Sequence, residues 1–397
     1  MKKNKILGVL VVSTMVLGAC GTTTKTTDST TEQTTTATTT STSEVADTEV
    51  DDAALKKEIQ TMREELQTVK DAVDKQDATA LLDNAKAMHK HWLAFENDVR
   101  KAYPLEYSTV EKYETPIFYG AQYETPDFEA VAENVTGLEE SLTKLENAKQ
   151  TKAKTSEVLD QAVQNYQTYL QEQSDLLVTG TKKFTDAVRS NDIEIAKIEY
   201  VKSRVFYERI EPVAESFGDL DPEIDARIND VDSEADWTGF HVIERALWEN
   251  NTTEGMKEFA DKLDEDVKKL DDQVKTLTME PTQMVAGAME LLNEAATTKI
   301  TGEEEAYSHT DLSDLAANVE GSKVVYQAII PALNENDEEL ANQLDTQFNT
   351  MEEKLAAYQS GDSYVDYTEL SKEQIREIST ELSTLAELMA KTGAIFN

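Results

Sequence analysis

Cysteine is almost missing from this chain of 397 residues: Cys20 is the only one. A single cysteine excludes an intrachain disulfide and any metal site built from several thiolates. Proline and glycine are also sparse, at 7 and 14 residues. With Ala, Leu, Glu, Lys and Gln abundant, that scarcity favours helices over turn-rich folds. Basic charge is in short supply too, with 38 Lys and Arg against 78 Asp and Glu and a net charge of −40. Such a surface repels nucleic acid and anionic head groups, and it concentrates cations. No segment shows sustained strand alternation. Catalytic templates are mostly absent as well. There is no His-Glu-x-x-His, no phosphate-cradling glycine loop and no Gly-x-Ser-x-Gly elbow. Carboxylate pairs are too numerous for spacing to single out a glycosidase pair.

What is present begins with an export signal over residues 1–20. Lys2, Lys3 and Lys5 precede an apolar run, 6–17, too short for a stable membrane span. It ends in Leu17-Gly18-Ala19-Cys20, which matches the lipobox of bacterial lipoproteins, where the cysteine sulfur takes a diacylglyceryl group and the preceding peptide is cut. Residues 21–50 are dominated by Thr and Ser and have little to bury, so they read as a disordered tether. From Cys20 to about residue 51 such a tether spans at most roughly 100 Å. The folded part is thus expected outside the cell membrane, lipid-anchored and held close to it.

Leu55, Ile59, Met62, Leu66, Val69 and Val73 alternate spacings of four and three, which predicts an amphipathic helix of about five turns. A second helix is predicted over 78–102, ended by Pro104, and a third carries Phe128, Val131, Val135, Leu138, Leu142 and Leu145. Between them, 103–123 is rich in Tyr and contains Pro104 and Pro116, and reads as an ordered loop. Residues 51–150 would form an N-terminal helical domain, with the junction near 147–155. Helical periodicity then resumes from Val158 to the C-terminus. A break is expected at Pro212 and a helix start at Pro281. The fold class is all-α, built from helical bundles.

Three polar clusters remain once the helices have claimed their apolar faces. His241 and Glu244 stand three apart at the start of a predicted helix, so they share a face and can fill two positions around one ion. The alternative is an ordinary helix start, with Thr238 as N-cap and Phe240, Ile243 and Leu247 buried. Upstream, Glu208, Glu211 and Glu215 line another helical face, with Arg204, Tyr207 and Arg209 placed to orient them. A second cluster comprises Glu303, Glu304, Glu305, His309 and Asp311, a donor set suited to iron, manganese, zinc or calcium. In the third, His89 and His91 near Glu96 are two apart and cannot share a helical face, so it reads as structural. Asp230-x-Asp232-x-Glu234 fails as a calcium loop, because Ala235 replaces the turn glycine and His241 stands where a bidentate Glu is needed.

The stretches YERIEPVAESFGDLDPEIDARI (207–228), WTGFHVIERALW (237–248) and KITGEEEAYSHTDLSDLAANVEG (299–321) resemble the EfeO/EfeM group of imelysin-like proteins. The resemblance covers 155–397 and implies an all-helical double four-helix bundle, to which 51–150 would be an extra helical domain. It also implies an iron-uptake protein working beside a membrane ferrous-iron permease and a haem-containing peroxidase-like protein. His241 and Glu244 fall on the family's His-x-x-Glu metal site. The YERIEP and GDLDP runs make Glu208, Glu211 and Asp219 further ligand candidates for ferrous or ferric iron, with other divalent cations as possible occupants. Some relatives carry an N-terminal cupredoxin domain, and none is visible here. The function so implied is capture of iron and delivery to the permease without catalysis. The alternatives are an imelysin-like metallopeptidase, which needs an open metal position and a general base, and a polysaccharide binder in which a cation bridges two anionic partners.

Overall fold

The computed structural model describes residues 52–123, 125–149, 156–231, 233–361 and 363–396. The expected signal, tether and Cys20 lie outside them. Four helices come first: α1 (Asp52–Lys75), α2 (Ala78–Ala102), α3 (Pro104–Gln122) and α4 (Phe128–Asn147). They enclose one core, in which the predicted stripe of α1 meets Met88, Trp92, Val99 and Leu138. Asp77 caps α2 by accepting from Ala80 N, and Asp127 caps α4 by accepting from Glu129 N and Ala130 N.

Helix α3 corrects the expected loop over 103–123. Pro104 ends α2 but also occupies the first turn of α3, where its missing N–H is no loss. The buried face of α3 is Tyr107, Val110, Glu114, Ile117 and Ala121. That is a helical 3-4-3-4 stripe with a glutamate at its centre, which hides the periodicity. Glu114 is tolerated there because His89 Nδ1 lies 3.1 Å from it while the imidazole stacks on Phe118.

A long antiparallel pair follows, α5 (Glu157–Arg189) and α6 (Ile193–Ile210), capped by Ser156 and Asp192. The chain breaks where Pro212 predicted it, passing into a 3₁₀ run, Glu211–Phe217. Short α7 (Leu220–Asp225) and α8 (Phe240–Trp248) lead to α9 (Lys257–Val274), which lies along α5. Then come α10 (Pro281–Thr297), α11 (Asp311–Asn336), α12 (Glu338–Ala356) and α13 (Lys372–Lys391), with Pro281 at the first turn of α10. Helix α11 faces both groups, packing on α5 and α6 as well as on α10 and α12. Gly321 permits this approach, since a Cβ there would lie 2.4 Å from Arg209 O. The first bundle is joined to the rest through α3, which packs on α10. Strand is confined to a two-residue antiparallel ladder, Gln359–Ser360 with Ser363–Tyr364, among the described residues. Among them, too, no helix is long and apolar enough to cross a membrane.

Candidate metal centre

The site begins with how α8 starts. Thr238 does not cap it, as the sequence suggested. Its Oγ1 donates instead to Glu223 O at 2.8 Å, and the N-cap is Gly239, with φ +90°. A Cβ on Gly239 would lie 2.1 Å from Ile224 O. Glycine is therefore required for the N-terminus of α8 to press against the end of α7. Trp237 Nε1 donates to Ala226 O at 2.6 Å and seals the same contact. Together these bring His241 beside Asp225.

His241 is 1% exposed. Its Nδ1 lies 2.9 Å from Glu244 Oε2 and 3.3 Å from Tyr200 OH. Its Nε2 is 3.4 Å from Asp225 Oδ1 and 4.0 Å from Glu304 Oε1, with no hydrogen-bond partner among the described residues. Glu244 is oriented through its other oxygen, which accepts from Tyr307 N at 2.9 Å and Ser308 N at 2.7 Å. Glu305 accepts from Tyr200 OH, Arg204 Nε and Ser308 Oγ at 3.1, 3.0 and 2.6 Å. Two donor groups result, Asp225–His241–Glu304 and His241–Glu244–Glu305, each with ligand atoms within 4.8 Å of one another. They meet at His241.

Buried cations hold these carboxylates in place. Arg204 contacts Asp225, Glu208 and Glu305, and its Nη2 lies 3.5 Å from Asp314 and 3.6 Å from Glu304. Lys299 Nζ lies 3.3 Å from Glu208, 2.7 Å from Glu211 and 3.2 Å from Glu304. Burial raises the Glu208 carboxyl, but Arg204 and Lys299 outweigh it and hold the pKa at about 2. Burial likewise disfavours a charged His241, yet Asp225 and Glu244 keep its pKa well above the usual imidazole range. Not every acid is so compensated. Burial and the charge of Glu208 push Glu211 well up, and burial and Glu305 do the same to Asp314. Burial and Glu244 raise Glu305, while burial and Glu305 raise Asp311 to about 7. The cluster therefore holds more carboxyl groups than its own cations neutralise. A hard or borderline cation entering it would replace protons with a stronger charge and give His241 Nε2 a partner.

The two clusters that the sequence kept apart are thus one. His241 and Glu244 stand with Glu304 and Glu305. Glu208 and Glu211 lie next to them, behind Arg204 and Lys299, where Asn318 Nδ2 also donates to both at 2.8 and 2.7 Å. Asp311 Oδ1 accepts from Glu305 N at 3.1 Å and so steadies the loop. Glu303 and His309 belong to neither donor group. His309 contributes through its backbone, its carbonyl accepting from Tyr367 N at 2.9 Å. Asp219 is exposed and belongs to neither donor group. Asp225, Tyr200, Lys299 and Asp314 were not singled out from the sequence. Asp225 does fall inside the 207–228 stretch, and Lys299 and Asp314 inside 299–321. Helical spacing gives no reason to join them, because each comes from a different element.

The profile of the Imelysin family (Peptidase M75) matches residues 162–392. The chain belongs to the imelysin family. All the donor residues described above lie within the matched segment, and α1–α4 lie outside it. Among relatives, the "Iron uptake system component EfeM" of Bacillus subtilis (strain 168) is 47% identical over 326 residues, covering 82% of this chain and 85% of that protein. An "Efem/EfeO family lipoprotein" of Staphylococcus haemolyticus is 39% identical over 270 residues, 67% of this chain and 94% of the relative. A protein of the same description from Staphylococcus aureus (strain NCTC 8325 / PS 47) is 40% identical over 242 residues, 60% and 85% of the two chains. This imelysin-family chain is therefore all-helical, as its periodicity indicated, and similar over most of its length to an iron-uptake component.

Proposed function

We propose that this protein is a lipid-anchored extracytoplasmic component of an iron-uptake system, which captures iron as cargo and passes it to a membrane permease. The observation that carries the proposal is the buried His241, whose Nε2 has no hydrogen bond among the described residues and faces Asp225 at 3.4 Å and Glu304 at 4.0 Å, while Nδ1 faces Glu244. In this reading His241, Glu244, Asp225, Glu304 and Glu305 supply the donors, and Glu208 and Glu211 form the adjoining acidic wall. Iron, ferrous or ferric, displaces the proton held by His241, so uptake releases protons and affinity falls in acid. Asp225, at the end of α7, is the most exposed of these donors, 9% by side chain against 0–5% for His241 and the others. A surface of net charge −40 feeds cations toward it. No covalent step is needed, and the ion can leave because Arg204 and Lys299 take back the carboxylates.

The names of the Bacillus and Staphylococcus relatives, an iron uptake system component and a lipoprotein, support iron as the cargo and a lipid anchor; in this reading the anchor is at Cys20 and a membrane permease is the recipient. A haem-containing peroxidase-like protein would be a further partner of the same system. A peptidase would need a general base beside the ion. Here Glu208, Glu211, Glu304 and Glu305 are engaged with Arg204 or Lys299, so none of these four is a free base. The test is metal titration of wild type against the His241→Ala/Glu244→Ala double variant. Tight iron binding is expected in the first and its loss in the second; equal binding would remove the cluster from the argument. Chelator-sensitive cleavage of a neutral peptide library would instead support the peptidase.

A further inference from the structure

We propose that Tyr119, on α3 of the first bundle, is a positioning residue for Glu304, acting through Arg227, so that the seating of this bundle sets how tightly the cluster holds its ion. The proposal rests on reading the cluster as an iron site. Tyr119 lies outside the segment matched by the imelysin profile, 162–392, yet it is two contacts from the donor carboxylates. Arg227 follows α7 and is 13% exposed by side chain. Its three nitrogens face three partners. Nη1 donates to Glu304 Oε2 at 3.1 Å, Nε donates to Asp230 Oδ2 at 2.9 Å, and Nη2 donates to Tyr119 OH. The Tyr119 hydroxyl in turn donates to Asp230 Oδ1 at 2.9 Å, which closes a ring of hydrogen bonds. The guanidinium carbon also sits 4.8 Å from the centre of the Tyr119 ring.

A planar guanidinium held on all sides has little freedom to turn. Because Arg227 occupies Glu304 Oε2, the remaining oxygen, Oε1, is turned inward. There it lies 3.2 Å from Lys299, 3.6 Å from Arg204 and 4.0 Å from His241 Nε2. Metal affinity depends on such outer partners, because a carboxylate that must first be oriented binds less well. Tyr119 is itself fixed by its helix, since α3 packs on α10 and Phe118 meets Tyr119 edge to face at 5.0 Å. The first bundle thereby reaches the cluster through one hydroxyl.

The experiment uses the full-length protein, Fe2+ under anaerobic conditions, and a ferrous chelator to follow release. Tyr119→Phe keeps the ring and removes the hydroxyl. It should weaken Fe2+ binding and speed release by about tenfold, the lower end of what loss of an orienting partner does to metal affinity, with the thermal midpoint little changed. Arg227→Ala should weaken binding at least as much. In the Arg227→Ala background, Tyr119→Phe should have no further effect, because the hydroxyl acts only through the guanidinium. Wild-type affinity and release in Tyr119→Phe would overturn the proposal. So would a Tyr119→Phe effect that persists undiminished without Arg227. If the wild type itself takes up no Fe2+, the iron reading fails and this proposal with it, an outcome distinct from either of those.

Discussion

Arg204→Met tests whether a buried guanidinium, rather than apolar packing, holds the acid cluster together. Methionine keeps much of the side-chain length and removes the charge. Arg204 is fully buried and contacts Asp225, Glu208 and Glu305. Removing one partner of a buried ion pair leaves the others uncompensated, at about 3–5 kcal/mol. A second route gives a similar size. Glu208 is held at about 2 rather than the ordinary 4.5, which amounts to about 3 kcal/mol at neutral pH, supplied jointly by Arg204 and Lys299. At about 2 °C per kcal/mol for a chain of this size, the thermal midpoint of the metal-free variant should fall by about 6–10 °C at pH 7.5. Because the folded-state pKa of Glu208 is depressed, its contribution is fully present above about 4.5 and is lost as the pH falls toward about 2. The gap between variant and wild type should therefore narrow in acid. Adding Fe2+ at a hundredfold above the wild-type Kd stabilises the wild type by about 2.7 kcal/mol, and at the same Fe2+ concentration the variant should gain less, since Asp225 and Glu305 have lost the guanidinium that orients them. Calorimetry on chelator-treated protein measures all of this. A midpoint unchanged at pH 7.5 would show that the guanidinium is not the counter-charge, and the electrostatic account of the site would have to be abandoned.

Gly239→Ala should destabilise by at least about 1–3 kcal/mol through its positive φ and also weaken iron binding, because the Cβ would push α8 off Ile224 O; retention of both stability and affinity would refute the close-approach argument. His89 is expected to make the first bundle pH-sensitive. Burial opposes its charge, but the hydrogen bond and charge of Glu114 raise its pKa above 6.5. Stability from this pair is thus fully present below 6.5 and lost as the pH rises through the folded value. Urea midpoints measured from pH 6 to 9 should show that decline, and Glu114→Gln should flatten it. Asp219→Ala should leave iron affinity unchanged and stability within about 0.5 kcal/mol, since its side chain is exposed and belongs to neither donor group; a marked loss of affinity would mean that the ion is held elsewhere.

Much of the fold was legible because helices announce themselves locally. The stripe from Leu55 to Val73, the break at Pro212 and the start at Pro281 all depend on neighbours within a turn or two, and each appears where expected. Helix α3 escaped because its stripe passes through Glu114, whose burial is possible only with His89 from another helix beside it. The pairing of His241 with Glu244 could likewise be read from spacing, since both lie on α8. What spacing could not supply was the company they keep. Asp225 arrives at the end of α7, Glu304 and Glu305 on the loop before α11, Arg204 on α6 and Lys299 after α10. Joining them requires the α5–α6 pair, the Gly239 contact and the α11 wall to be in place. Sequence alone determined that this is an acidic, all-α chain with 78 carboxylate side chains and only four histidines. Tertiary structure decided which acids converge on His241 and which buried cations orient them. Helical periodicity is a short-range property of the backbone, whereas the convergence of charges from five elements is set only when the bundles close.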